Sequence, residues 1–261
     1  MNSCTKITLL FSTYLLFFSI QITAQDTNSQ AYWIHEDRVM PSMVLSYEKS
    51  AKELVSNLEK YNIQDEKWIT SSTNDFRYLY VTAIDKMADL DRPFFANLSE
   101  KMGSDALANL LKEMDKCYNR HFNYIIHLDK ELSYMPNGIT QTPEGKNYRK
   151  FHYLYFTPSK AYIVKDYLKA VKELYASKDS KLHYRVYKSG FGTQDDFYLI
   201  AVAAKNAVEY EQIGSENNEL LGDAGNKIFD ELFKNLKKYE EIPGRIREEL
   251  GYSPKKVTRK N

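Results

Sequence analysis

An eight-residue phrase occurs twice in this chain, and no other feature limits its fold as much. Tyr47-Glu48-Lys49-Ser50-Ala51-Lys52-Glu53-Leu54 returns as Tyr167-Leu168-Lys169-Ala170-Val171-Lys172-Glu173-Leu174, with the Tyr, both Lys, the Glu and the Leu in place. Its surroundings return as well. Pro41-Ser42 is answered by Pro158-Ser159, Asp75-Phe76 by Asp196-Phe197, and Leu132-Ser133-Tyr134-Met135-Pro136 by Leu250-Gly251-Tyr252-Ser253-Pro254. The offset is 117 from Pro41 to Pro158, 120 from Tyr47 to Tyr167, 121 from Phe76 to Phe197 and 118 from Tyr134 to Tyr252. It drifts only where loops absorb an insertion, which marks a tandem duplication.

Each copy spells one series of elements. Tyr32 to Met40 reads as a strand ended by Pro41-Ser42, and Val44, Tyr47, Ala51, Leu54, Leu58 and Tyr61 then recur at helical spacing. Residues 67–73 and 76–84 predict a hairpin around Asn74-Asp75, a second helix is expected from Ser104 to Ile126, and residues 131–136 form a closing strand. After a breaker-rich stretch the series restarts: a strand from Phe151 to Thr157, a helix striped by Ile163, Tyr167, Ala170, Val171 and Leu174, and a hairpin (181–188 and 197–204). A helix from Ala224 to Glu240, stopped at Pro243-Gly244, and a short last strand complete it.

Strand, helix, two strands, helix, strand is the ferredoxin-like arrangement. One such unit carries both helices on one sheet face and leaves the other bare, and a bare face rich in Tyr and Val needs a partner. The expected fold is therefore α+β: two tandem ferredoxin-like units (βαββαβ) packed sheet to sheet, or closed into a barrel, with a cavity between them. The expected divisions are a signal peptide 1–24, a flexible leader 25–31, repeat one 32–136, a linker 137–149, repeat two 150–254 and a basic tail 255–261.

This tandem order resembles the dimeric α+β barrel superfamily over residues 32–254. That group includes the NIPSNAP proteins, the antibiotic biosynthesis monooxygenases and the chlorite dismutase and haem-degrading proteins. The resemblance implies a pseudo-dimeric barrel around a shared cavity. No family-specific motif assigns the chain to one group, and activities across the superfamily are too varied to follow from fold.

The N-terminus bears on location. Lys6 precedes a nearly apolar run from Ile7 to Ile22, and Thr23-Ala24-Gln25 offers a small residue at a cut, the pattern of a secretory signal cleaved after Ala24. The mature protein is then expected in the periplasm or outside the cell, with no membrane insertion after cleavage. The chain holds 36 basic and 35 acidic residues, and losing Lys6 with the signal leaves the two equal. Such a balance carries no electrostatic footprint for nucleic acid. Cys4 leaves with the signal, so Cys117 is a lone thiol.

The candidate site residues follow from strand alternation. Glu36, Arg38, Tyr153 and Tyr155 are expected on the cavity side of the first strands, with Tyr78 and Tyr80 added by the hairpin, a lining suited to a small, partly aromatic ligand. His35 and His152 share the offset of 117 and stand as candidates for a metal or haem site, although alternation places both on the helix-packed side. Cys117 with His121 four residues on reads as a thiol–imidazole pair if both are helical. Two functions stay open: a non-catalytic module binding a small ligand or a partner, with no cofactor, and a monooxygenase-like or haem-handling enzyme using the same cavity. Self-association through exposed edge strands is a third reading.

Overall fold

The computed structural model describes residues 29–255. The expected signal peptide and nearly all of the basic tail lie outside the described residues. The first copy contributes β1 (Ser29–Val39), α1 (Val44–Lys60), β2 (Ile69–Thr73), β3 (Arg77–Ile84), α2 (Ala96–Met102), α3 (Ser104–Asp115) and β4 (Tyr118–Tyr134). The second contributes β5 (Tyr148–Tyr155), α4 (Ala161–Ser177), β6 (Tyr184–Ser189), β7 (Phe197–Ala204), α5 (Ala207–Lys234) and β8 (Lys238–Ile246). β1 therefore takes three residues from the expected leader, and β5 starts inside the expected linker.

Each copy orders its strands as a ferredoxin-like unit, β4-β1-β3-β2 and β8-β5-β7-β6, and the seams β2–β8 and β6–β4 close all eight into one antiparallel barrel. The fold is the α+β barrel expected of a duplicated unit. Closure uses every strand edge of the barrel, so strand addition has no edge to build on. The β2–β8 seam depends on Gly244, where a Cβ would stand 2.6 Å from the Ser72 carbonyl oxygen.

The two copies are not self-contained. Leu132 and Tyr134, at the end of β4, pack among Val164, Leu168 and Tyr175 in the core of the second copy. Reciprocally, Leu250 and Tyr252 pack among Leu54, Leu58 and Ile63 in the first. The tyrosine hydroxyls fasten the exchange: Tyr134 donates to Ser180 O at 3.2 Å, and Tyr252 donates to Ile63 O at 2.6 Å. Trp68 Nε1 donates to Leu250 O at 2.9 Å. Each repeat's tail thus completes the other's helix layer.

Three elements differ from the sequence reading. The short last strand expected at 250–254 is a single 3-10 turn (Glu248–Leu250) and one bridge from Tyr252 to Trp68. Residues 118–126 are strand, not helix: Tyr118, Phe122 and Ile126 continue the four-residue spacing of α3, but that spacing fits both a helix turn and two strand repeats. Pairing with β1 on one side and β6 on the other settles the choice. The last helical stretch runs from Ala207, where the Asn206 side chain accepts from Glu209 N, to Lys234, and is two helices meeting at a kink at Gly222 (φ 53°). The expected start at Ala224 is close to that of the second helix, whose end falls short of Glu240. Residues 238–240 are already β8, and Pro243 sits within that strand, where pairing with β2 starts only at Gly244.

Candidate functional site

Alternation sorts β1 cleanly. Ile34, Glu36 and Arg38 face the barrel interior, while Trp33, His35 and Asp37 face the helices. The middle of the lumen is a packed core of Ile34, Leu79, Ile126, Tyr153, Tyr187, Phe197 and Leu199. One mouth is covered by the linker. At the other lies a cavity of about 470 Å³ that both copies line, and it brings together four of the six nominated residues: Glu36, Arg38, Tyr153 and Tyr155, with Arg77, Arg120 and Tyr124. Its polar groups are largely occupied with one another. Glu36 accepts from Arg38 Nε at 3.0 Å and Tyr124 OH at 2.9 Å; Tyr155 OH donates to Glu240 at 2.8 Å, and Arg77 pairs with Asp75 at 2.7 Å.

Tyr78 and Tyr80 are not there. They pair across β1 with Asp37 and His35, and directly paired residues share a face, so both rings point to the helices. Tyr78 packs on Tyr47 and donates to Glu48 at 2.6 Å. The side of a hairpin strand follows from its register, which is not written in the strand itself.

Tyr80 lines a different space, a cleft of about 450 Å³ between the outer face of the first sheet and its helices. Trp33, Trp68, Phe94, Phe95, Leu111 and Met114 form its walls, and His35, Asp37 and Asn123 its polar floor. Trp33 stacks on Phe94 with ring centroids 4.6 Å apart. His35 Nε2 stands 3.2 Å from Asp37 Oδ1 and Nδ1 stands 2.9 Å from Asn123 Oδ1, so oxygen acceptors face both ring nitrogens. Burial works against a charged imidazole here, but Asp37 and Asn123 outweigh it and hold His35 above its ordinary pKa. Tyr47 OH donates to Asp37 at 2.6 Å and meets Tyr80 OH at 2.8 Å. Asp37 Oδ1 is buried and accepts no hydrogen bond of good geometry.

The wall that makes this cleft is a local accident of sequence. A helical start at Lys86 is present, with Asp89 accepting from the Asp85 and Lys86 amides, but Pro93 denies Arg92 the helical conformation and the turn stops at Leu90. Glu66 then clamps the released segment: Arg92 donates to both its oxygens at 2.9 and 3.1 Å, and the Phe95 amide donates at 2.9 Å. Phe94 and Phe95 are held against the cleft in consequence. The sequence reading passed over residues 85–103; Pro93, which the second copy lacks at the corresponding point, was the available signal.

His152 has the opposite surroundings. Its Nδ1 lies 2.6 Å from Tyr239 OH, and Tyr210, from the unbroken first turns of α5, meets its Nε2 at 3.0 Å. Burial drives its pKa down to about 4, against the partial support of Glu241. β1 and β5 stand across the barrel from each other, so the two histidines do not converge on one metal. Neither of these two histidines is free to take haem, because partners already face both ring nitrogens of each. Cys117 lies past the end of α3 with Sγ against Glu113 O at 3.3 Å, and His121 is on β4, so the helical thiol–imidazole pair does not form.

No protein-family model matches the chain, and no curated protein sequence matches it. Solved structures do. An anthrone oxidase-like protein superposes with a TM-score of 0.57 at 11% identity, over 85% of this chain and 93% of that one. A heme-binding protein from Thermus thermophilus gives 0.43 at 11%, over 85% and 92%. A mutant chlorite dismutase from Candidatus Nitrospira defluvii gives 0.46 at 6%, over 84% and 94%. At 11% identity the likeness to the anthrone oxidase-like protein is one of fold alone, an α+β barrel.

Proposed function

We propose that this protein binds a small, planar, mostly apolar molecule in the cleft over His35 and Asp37, with one hydrogen-bonding group of the ligand, a phenolic hydroxyl or its equivalent, directed at that pair. The observation that carries this reading is an aromatic-walled space whose floor is the half-buried His35 paired with the buried Asp37 carboxylate. A two-ring ligand would bury on the order of 150–250 Å². At about 25 cal/mol per Å² that is worth roughly 4–6 kcal/mol before the costs of association, so binding depends on the hydrogen bond to the floor as well. The chemistry the floor offers is holding or exchanging a proton at His35.

Both tryptophans of the chain, Trp33 and Trp68, line the cleft, so tryptophan emission excited to the red of tyrosine absorption reports on it. Titration with 2-naphthol is expected to quench the emission saturably in the wild type and to lose at least tenfold in affinity in His35→Gln. Equal affinities in the two proteins would discard the reading.

A second reading keeps the expected cavity between the two repeats. The three guanidinium groups at the barrel mouth, Arg38, Arg77 and Arg120, favour a small anionic, partly aromatic ligand there, with Tyr153 and Tyr155 as its stacking surface. It ranks second because mouth charges that already pair with one another add about 0–1 kcal/mol each. For either site we place the mature protein in the periplasm or outside the cell, with Gln25 as its first residue; the intact mass of the exported protein checks this.

A further inference from the structure

The covered end of the barrel holds two cations that neither reading uses. Arg149 and Arg185 are 1% and 3% exposed, and among the described residues neither meets a carboxylate. They are held instead by carbonyl oxygens of the linker. Arg149 donates to Lys146 O, to Tyr148 O at 2.9 Å and to Gln141 O at 2.9 Å. Arg185 donates to Thr140 O and, also at 2.9 Å, to the same Gln141 O. The two nitrogens sharing that oxygen are no farther apart than twice this distance. Two like charges in a dry interior oppose each other, and Arg149 is pushed down to about 10 by burial and by Arg185. The Arg185 Nε is buried with no acceptor at all.

Both side chains line a small internal cavity, about 70 Å³, whose remaining walls include Leu79, Phe197 and Leu199. That is several times the roughly 10–15 Å³ of accessible space that one water needs, room for a few waters or one small anion. A guanidinium fork matches a planar oxyanion and tolerates a halide, and the low dielectric of the lumen strengthens either contact. We propose that Arg149 and Arg185 form a site for a small monovalent anion, a halide or a planar oxyanion of the size of nitrate or acetate, which neutralises the pair and ties the inter-repeat linker across the barrel end. The site stands apart from the cleft and does not depend on what binds there.

The test is thermal melting of the mature chain at fixed ionic strength, with gluconate exchanged in turn for chloride, bromide, nitrate or acetate. A ligand bound only by the folded form raises the melting temperature by about 3–6 °C for each tenfold increase in free anion above saturation. The anion that acts at the lowest concentration tells halide from oxyanion. Arg185→Met is expected to melt at one temperature throughout the exchange. An equal response in that variant would mean general salt screening and overturn the site. Should Arg185→Met fail to fold, wild-type crystals grown in bromide and in nitrate decide: an anomalous bromide peak or a planar oxyanion between the two guanidinium groups supports the site, and neither ion there removes it.

Discussion

The two copies place a histidine at the same point of their first strand and do opposite things with it. In the second copy α5 runs without a break from Ala207 through Tyr210, so that tyrosine lands on His152 and the ring is walled in between two tyrosines. In the first, Pro93 halts the corresponding helix, Glu66 pulls the freed segment aside, and His35 is left on the floor of a cleft. The difference teaches how two copies of one unit come to differ. Where Pro93 interrupts the helix a cavity is left over the strand, and where the helix runs through Tyr210 the equivalent point is filled.

The largest expected contrast is in acid. His152 is held at about 4, so below its ordinary value of about 6.5 the unfolded chain takes up a proton that the folded chain refuses. Stability should therefore fall by about 3 kcal/mol as pH drops from 6.5 to 4, and His152→Gln should flatten that limb in urea unfolding. His35 is shifted the other way. Its contribution is full below about 6.5 and is lost as pH rises through the higher folded value, so His35→Gln should leave the acid limb standing. If both variants flatten the same limb, the two histidines do not differ as described.

A smaller effect separates the two lids. Tyr210→Ala opens a space over His152 and should cost about 2–3 kcal/mol, with the His152 titration in NMR moving up toward its ordinary range as burial relaxes. Smallest in stability is Phe94→Ala on the cleft wall, at under about 1 kcal/mol, because that ring borders a cavity and not a filled core. The same substitution should weaken 2-naphthol binding several-fold, which Tyr210→Ala should not. A Phe94→Ala protein as destabilised as Tyr210→Ala would mean that the cleft wall is packing.

Much of this was legible in advance, and the misses share a cause. The repeat, the alternation of β1 and the cavity side of Glu36, Arg38, Tyr153 and Tyr155 follow from local periodicity and hold in the structure. Tyr78 and Tyr80 were placed on the wrong face because a strand's side depends on its register with a neighbour. Tyr118 to Ile126 read as helix because a four-residue spacing belongs to both periods. The cleft was missed because a cavity is what a helix fails to cover, and that failure is visible only when the covered copy is laid beside it. Nothing in the sequence singles out Arg149 and Arg185, since only the fold brings Arg185 to the linker beside Arg149.

By itself the sequence determined that one unit occurs twice, which elements it contains and which residues of its first strands share a face. These are matters of spacing along the chain, and spacing is carried by each stretch alone. Only the tertiary structure decided that the repeats exchange their tails, that eight strands close without an edge, and that one histidine borders a cleft while its twin is packed between two tyrosines. Those outcomes depend on which distant segments meet, and a residue's surroundings are set by partners that its own neighbours in sequence do not name.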